Sequence, residues 1–376
     1  MKILVAGDFV SRHRVTLRII KNDYGFMDNV KTIIQNVDYS IVNFESPVVI
    51  RDTQPISKTG PSLKCTTNAM ECISKVGFAC VTLANNHFRD YGQVGVEDTL
   101  SSCKKYGIDH VGGGKDLQEA ESVLYKTIKG ETIAIINVCE NEWSVATQNH
   151  GGSCGMDVVN VCHWLKEAKS QADYVLLIIH GGIEHYRYPT PEMKKLYHFF
   201  AEMGADAIVN HHQHCYSGYE VYQGTPIFYG IGNFCFDTEN QTESWSSGYM
   251  VSIDTMNKQF ELYPYVQATS ESEDISLIKD KNKFFETLEK MNAVISDDEK
   301  LITEYDSLIA KSNPLWKSLL NPYQSKFLNR LARFGLIPSF IDEHRRNRLF
   351  NLVSCESHRG RLLRSLTQDI NKNNEI

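Results

Sequence analysis

Residues 173–182 read DYVLLIIHGG, and the reading of this stretch decides the fold. From Tyr174 to Ile179 no polar residue interrupts the run, so both faces of the segment must be covered, and two glycines after His180 stop it. A strand apolar on both sides belongs to a sheet with further layers above and below it. The same pattern recurs outward in both directions. KILVAGD (2–8), YSIVNFE (39–45), ACVTLANN (79–86) and ADAIVNHHQH (205–214) are each apolar for several residues and then turn polar. Between them lie helical patterns: TNAMECISKV (67–76), GVEDTLSSCKKYG (95–107), DVVNVCHWLKEAKSQ (157–171) and PEMKKLYHFFAEMGA (191–205), the last opened by proline and closed at Gly204. SVLYKTI and ETIAIIN flank Lys129-Gly130 and read as a hairpin. GYEVYQG, TPIFYGIGNF, GYMVSID and QFELYPYV read as antiparallel strands with turns at Gly224 and Asn257-Lys258. Gly112-Gly113-Gly114-Lys115 reads as a tight strand-to-helix turn; it matches neither the P-loop nor the dinucleotide fingerprint. The class is α/β.

Composition narrows what such a fold does. The 376 residues suffice for one large domain and an appendage. A net charge of −7 argues against a dedicated nucleic-acid binder. No run approaches the roughly 18 to 20 apolar residues that span a bilayer. MKILVAGDFV at the start reads as a buried strand and not as a signal peptide, so the expected location is the cytoplasm. Ten cysteines without a C-x-x-C pair, several inside apolar runs, read as buried reduced thiols.

Chemistry concentrates where strands give way to loops. Asp8, Glu45, Asn86, His180 and the pair His212 and His214 stand at five strand ends. Strands running side by side bring such residues to one sheet edge. Carboxylate, amide oxygen and imidazole together suit Zn, Mn or Fe and not a thiolate site. A carboxylate between two histidine-bearing sets is a two-metal hydrolytic arrangement. His212 and His214 should point the same way from an extended segment. Each element alone has a plainer reading, Asp8 as a helix cap and Asn86 as a turn former, but the ordered set is hard to produce by accident.

The motifs Gly7-Asp8, NFE (43–45), ANNHFRDYG (84–92), HGGIEHY (180–186), GADAIVNHHQH (204–214) and GIGNFCFD (230–237) resemble the poly-gamma-glutamate capsule synthesis family, CapA type, a branch of the calcineurin-like metallophosphoesterases. The resemblance covers residues 1 to about 240. It implies a sandwich of mixed sheets flanked by helices and one or two divalent metal ions. It also implies a phosphoesterase-type hydrolase serving cell-surface polymer synthesis, on an anionic small-molecule or polymer substrate and with synthase subunits as partners. By its motifs Asp8 and His214 bind one metal, Glu45 bridges, and Asn86, His180 and His212 hold the second. His87 becomes the acid for the leaving group and Glu184 a second catalytic candidate. Asn43, Asn85, Asp90, Tyr186 and Asn233 become substrate-binding candidates. The superfamily usually carries histidine where this chain has Val10 and aspartate where it has Glu45, which leaves the first metal position with fewer protein ligands. Two other readings follow: an accessory protein that binds polymer or a synthase without catalysis, and a gamma-glutamyl amide hydrolase or transferase.

Near Ser270 the character changes to a strand-poor, helical stretch, so the expected division is 1–270 catalytic and 271–376 an all-helical extension. Its helices should break near Asn313-Pro314, Asn321-Pro322 and Gly335 to Pro338. Between about 326 and 364 basic residues predominate: Lys326, Arg330, Arg333, Arg345, Arg346, Arg348, Arg359, Arg361 and Arg364. FLNRLARFGLIPSFI mixes aromatic residues with arginine at helical spacing. That fits a peripheral contact with an anionic membrane, a surface for a polyanion, or a helical cap with a solvated basic face.

Overall fold

The computed structural model describes residues 1–239, 241–319, 325–337, 343–355, 358–359 and 362. In chain order the strands are β1 (Lys2–Val10), β2 (Tyr39–Phe44), β3 (Cys80–Thr82), β4 (Asp109–Val111), β5 (Gly113–Gly114), β6 (Leu124–Ile128), β7 (Glu131–Cys139) and β8 (Gly152–Ser153). They continue as β9 (Tyr174–His180), β10 (Ala207–His211), β11 (Tyr219–Tyr222), β12 (Thr225–Phe228), β13 (Asn233–Phe236), β14 (Ser247–Asp254), β15 (Gln259–Val266) and β16 (Ser276–Leu277). The helices are α1 (His13–Ile20), α2 (Asp28–Gln35), α3 (Thr67–Val76), α4 (Gly92–Tyr106), α5 (Leu117–Ala120), α6 (Val158–Gln171), α7 (Pro191–Glu202), α8 (Glu243–Ser246), α9 (Asn282–Ile295), α10 (Asp298–Leu319), α11 (Lys326–Arg333) and α12 (Glu343–Ser354).

Two mixed sheets form the middle of the molecule. One has the order β16-β15-β14-β1-β2-β3-β4 with β13 also paired to β1; the other runs β11-β12-β10-β9-β7-β6. Alternation along each strand sorts side chains between layers. Ile3 and Val5 of β1 meet Leu176 and Ile178 of β9 in the core between the sheets. Leu4 and Ala6 face a second core with residues of α1, α2, α3 and α4. Val175, Leu177 and Ile179 face a third with α6 and α7. The result is a helix–sheet–sheet–helix sandwich, and it explains why the strands read as unbroken apolar runs.

The 218–266 region departs from the antiparallel reading. β11–β12 and β14–β15 are antiparallel, but β12 lies parallel to β10 and β13 parallel to β1, in different sheets. TPIFYGIGNF therefore splits at Gly230–Gly232 and crosses between sheets. A short apolar run carries no information on strand direction, which is why the sequence misled here. The crossing is tight: a Cβ on Gly7 would lie 1.9 Å from the Gly232 carbonyl oxygen, so only glycine fits beside Asp8. The hairpin at Lys129-Gly130 is present. The Gly112–Lys115 run leads into the four-residue α5, and Gly113–Gly114 also pairs with β8. All ten cysteines are free thiols.

The first compact unit runs Met1–Leu301 and takes in α9, beyond residue 270 where the composition changes. Phe284, Leu288 and Met291 of α9 bury against the inter-sheet core. The second unit, Ile302–Ile376, holds α11 and α12. α10 runs straight through Asn313-Pro314, so that expected break is absent; proline removes one N–H donor without stopping this helix. α11 ends as expected before Gly335, at φ +70°. Asn321-Pro322, Pro338, Arg361 and Arg364 lie outside the described residues. Phe327, Phe334 and Leu336 are exposed, as are Lys326 and Arg330. Among the described residues no helix is long and apolar enough to cross a membrane.

Candidate metal centre

Side-chain alternation aims the histidines. His180 ends β9 on the face that carries Leu176 and Ile178, and so points between the sheets. Asn86, in the turn after β3, and Glu45, just past β2, come to the same edge because β1, β2, β3 and β4 run parallel. His212 and His214 arrive differently from expectation. β10 stops at His211, and the backbone turns left-handed at His212 (φ +90°) and again at His214 (φ +54°). Those conformations are costly for non-glycine residues.

Two donor sets result, sharing Glu45. In one, His180 Nε2 lies 3.1 Å from His212 Nδ1, 3.2 Å from Asn86 Oδ1 and 3.7 Å from a Glu45 oxygen. A tetrahedron of bonds about 2.0–2.2 Å long has edges of about 3.3–3.6 Å, close to these three separations from His180 Nε2, and Glu45, His180 and His212 lie within 4.8 Å of one another. The other set is Asp8, Glu45 and His214, with ligand atoms within 4.8 Å of one another. Here His214 Nδ1 is 2.9 Å from Asn233 Oδ1, while the Asn233 amide nitrogen donates to the carbonyls of His214 and Trp245. The amide is thereby oriented, His214 carries its proton on Nδ1, and Nε2 turns its lone pair toward Glu45, 3.7 Å away.

Electrostatics agree with a cation in the middle. Glu45 is fully buried and neither carboxylate oxygen has a hydrogen-bond partner. Burial, then the charge of Asp8, push its carboxyl well above the usual range. Burial pushes His212 and His214 down to about 4, with the Asp8 charge opposing, and pushes His180 down as well. Asp8 moves the other way: burial opposes its charge, but the contact with His211 and the nearby histidines hold it well below the carboxylate range. The imidazoles are held neutral, as ligation of a divalent ion requires, and the raised Glu45 carboxyl is one that a neighbouring cation would draw back to its ionised form.

His87 stands beside this centre. Its Nδ1 is 2.7 Å from Asp90 Oδ2, and Asp90 also pairs with Lys58 and accepts from the Leu63 N–H at 2.7 Å. A cleft of about 360 Å³ opens over Asn86, His87 and His214, with Glu184 on its rim. The Glu184 carboxylate lies within 4.8 Å of ring nitrogens of both His212 and His214.

The expected substrate contacts are mostly turned inward. Asn43 donates to Asp8 at 2.7 Å and accepts from Thr82 at 3.1 Å. Asn85 donates to the Phe44 carbonyl and accepts from the His87 N–H. Asp90 is held as described above, and Asn233 orients His214. Tyr186 is buried, its ring 5.7 Å from that of Tyr188. An asparagine at a strand end looks the same in sequence whether it touches substrate or braces a ligand. Sequence reasoning also passed over His211, 3.1 Å from Asp8, although it sits in the same HHQH run. It passed over Lys58 too, in a loop with no periodic pattern to mark it.

Comparison with known proteins agrees with the resemblance. The profile of the family described as "Bacterial capsule synthesis protein PGA_cap" matches residues 2–238. The capsule biosynthesis protein CapA of Bacillus anthracis is 30% identical over 248 residues, 63% of this chain and 60% of its own. The PGA biosynthesis protein CapA of Bacillus subtilis (strain 168) is 33% identical over 211 residues, 55% of this chain and 56% of its own. A Mycobacterium tuberculosis protein named as a probable polyglutamine synthesis accessory protein is 29% identical over 171 residues, 42% of this chain and 45% of its own. The chain thus spans about three fifths or less of the curated relatives it matches. The motifs, the sandwich and the profile match over residues 2–238 converge: the chain belongs to the bacterial capsule synthesis protein PGA_cap family, within the calcineurin-like superfamily.

Proposed function

We propose that the chain is a metal-dependent hydrolase of phosphoester bonds, acting on an anionic polymer or its precursor in poly-gamma-glutamate capsule synthesis. The observation that carries this reading is Glu45, a buried carboxylate with two unpartnered oxygens between two histidine-bearing donor sets. An unpaired buried charge is costly and is ordinarily found coordinating a metal or paired. Asp8, Glu45 and His214 would hold one ion, and Glu45, Asn86, His180 and His212 the other. The mixed oxygen and nitrogen donors fit Mn, Zn or Fe. Such ions supply charge for a developing anion and lower the pKa of water.

The chain's own groups do the rest. Asp90 accepts a hydrogen bond from His87 Nδ1–H, which leaves Nε2 for the leaving oxygen. Lys58 pairs with Asp90 and so keeps that carboxylate in place. Relatives named for capsule biosynthesis or as a polyglutamine synthesis accessory protein support the polymer context and synthase subunits as partners.

One observation favours the accessory reading. Val10 lies in an apolar cluster with Leu63 and Phe236, where the resemblance would place a further ligand. The first position then rests on Asp8, Glu45 and His214, a set suited to binding without turnover. Elemental analysis of the purified protein, then a panel of aryl phosphates, phosphodiesters and gamma-glutamyl peptides, tests both. Metal with turnover of a phosphoester supports the hydrolase. Metal with no turnover on the whole panel supports the accessory protein, and release of glutamate from peptides alone supports amide chemistry.

A further inference from the structure

The cleft above the candidate metal centre is lined by more than the site's own residues. Asn86, His87 and His214 line it together with Arg12, and the Phe236 ring lies 5.3 Å from that of His214 and 5.9 Å from the Arg12 guanidinium. The wall is stiff. Trp245 Nε1 donates to the Phe236 carbonyl at 2.7 Å, and the two rings meet edge to face at 4.8 Å. β13 ties Phe236 to Val10 of β1, and Arg12 follows two residues later. Arg12, still extended at φ −136° and ψ 162°, thus reaches the cleft from just past the end of the strand that carries Asp8.

The cations around this cleft are not equivalent. Lys58 is paired with Asp90, and Arg14 is held by Asp237 through two side-chain bonds of 3.0 and 2.7 Å. Arg12, among the described residues, has no carboxylate within 4.0 Å and no side-chain hydrogen bond. Its guanidinium rests 5.9 Å over the Phe236 ring. An arginine held by a ring face keeps its fork of donors open for a planar or tetrahedral anion, which it grips through two parallel bonds.

We propose that Arg12 is the specificity residue for a second anionic group, carboxylate or phosphate, on the molecule whose scissile bond lies at the metal centre. The preferred substrate class is therefore at least doubly anionic. Neutral leaving groups such as simple alcohols or phenols leave Arg12 without a partner and bind more weakly. The inference rests on the hydrolase reading for its catalytic arm and is independent of that reading for its binding arm.

Full-length metal-loaded protein is compared with Arg12→Gln and Arg12→Lys on phenyl phosphate, 4-carboxyphenyl phosphate and 1,4-phenylene bisphosphate. The expected wild-type KM for at least one of the two doubly anionic probes is lower than for phenyl phosphate by about tenfold, the scale of one charge-assisted pair. Arg12→Gln should erase that preference and Arg12→Lys restore part of it, with metal content by elemental analysis unchanged. The relative gain on carboxylate and on phosphate identifies which group Arg12 reads. Titration calorimetry with tri-gamma-glutamate and with the bisphosphate, on the same proteins, asks the question without turnover. About tenfold weaker binding of either ligand by Arg12→Gln, in a protein that hydrolyses nothing, keeps this inference and overturns the hydrolase. No preference in the wild type together with equal binding by wild type and Arg12→Gln overturns the inference, whatever the catalytic result.

Discussion

Asn233 accepts a hydrogen bond from His214 Nδ1 at 2.9 Å and thereby decides which nitrogen of that ring faces Glu45. Its own orientation is forced by two backbone carbonyls, those of His214 and Trp245. Replacing Asn233 with leucine should free the tautomer and weaken one of two metal-binding events by about 10- to 100-fold. Asn233→Asp, which keeps an acceptor, should recover most of the loss. Calorimetric titration with Mn or Zn reads both, and unchanged affinity in the leucine variant removes the orienting role.

His180→Ala and His212→Ala should each abolish metal at the four-donor position. Wild-type protein gains about 2.7 kcal/mol at a free metal concentration 100 times Kd, because only the folded state binds. Thermal unfolding with and without added metal should show that gain in the wild type and its partial loss in each variant. A full metal-dependent rise in Tm in both variants contradicts the assignment.

Glu45→Gln separates function from stability. The carboxylate is buried, unpartnered and beside Asp8, so in metal-free protein it opposes folding at neutral pH. The glutamine variant should lose metal, yet unfold at a Tm equal to or above that of metal-free wild type at pH 7. A variant several degrees less stable than the metal-free wild type would show that Glu45 is a structural carboxylate.

Acid should unfold the metal-free protein through its histidines. The folded His212 and His214 are held down to about 4, against 6.5 in the open chain, by burial. Between those values the unfolded chain binds protons that the folded one cannot. The histidine contribution is therefore full above pH 6.5 and falls toward pH 4, by up to about 1.4 kcal/mol per pH unit for each histidine, while the raised Glu45 carboxyl works in the opposite sense by taking up a proton in the folded state. Urea titrations from pH 7.5 to 4.5 measure the slope, and replacing both residues with glutamine should reduce it, His180 keeping a part of its own.

His87→Ala should retain both metals and lose about 10²- to 10⁴-fold in turnover of any phosphoester the protein accepts. Asp90→Asn should act in the same direction through His87, since it removes the carboxylate that holds Nδ1. Full activity in the alanine variant dismisses His87 as the acid.

Much of this was legible in the chain itself, for a physical reason. Doubly buried strands cannot hide polar residues, so Asp8, Glu45, Asn86 and His180 stand out where the apolar runs end. The layers followed from the same runs. What was not legible depends on directions and partners. Nothing in TPIFYGIGNF says that its halves lie parallel to β10 and β1 in separate sheets. The partners of Asn43, Asn85 and Asn233 are not legible either, because an amide's partner is set by the fold and not by its neighbours in sequence. Lys58 and Arg12 sit in segments without periodicity, and their closeness to the cleft exists only once β1 and the 50–64 loop are in place.

The pairing of β1 with β13, which sets Asp8 beside Asn233, has a consequence for how the protein is made. The first donor to leave the ribosome waits for a neighbour more than two hundred residues behind it. Contacts of such separation form slowly and late. Under the proposed metal reading the donor set is thus completed late in synthesis, and a nascent chain stalled before residue 233 holds Asp8 without the strand that pairs with it.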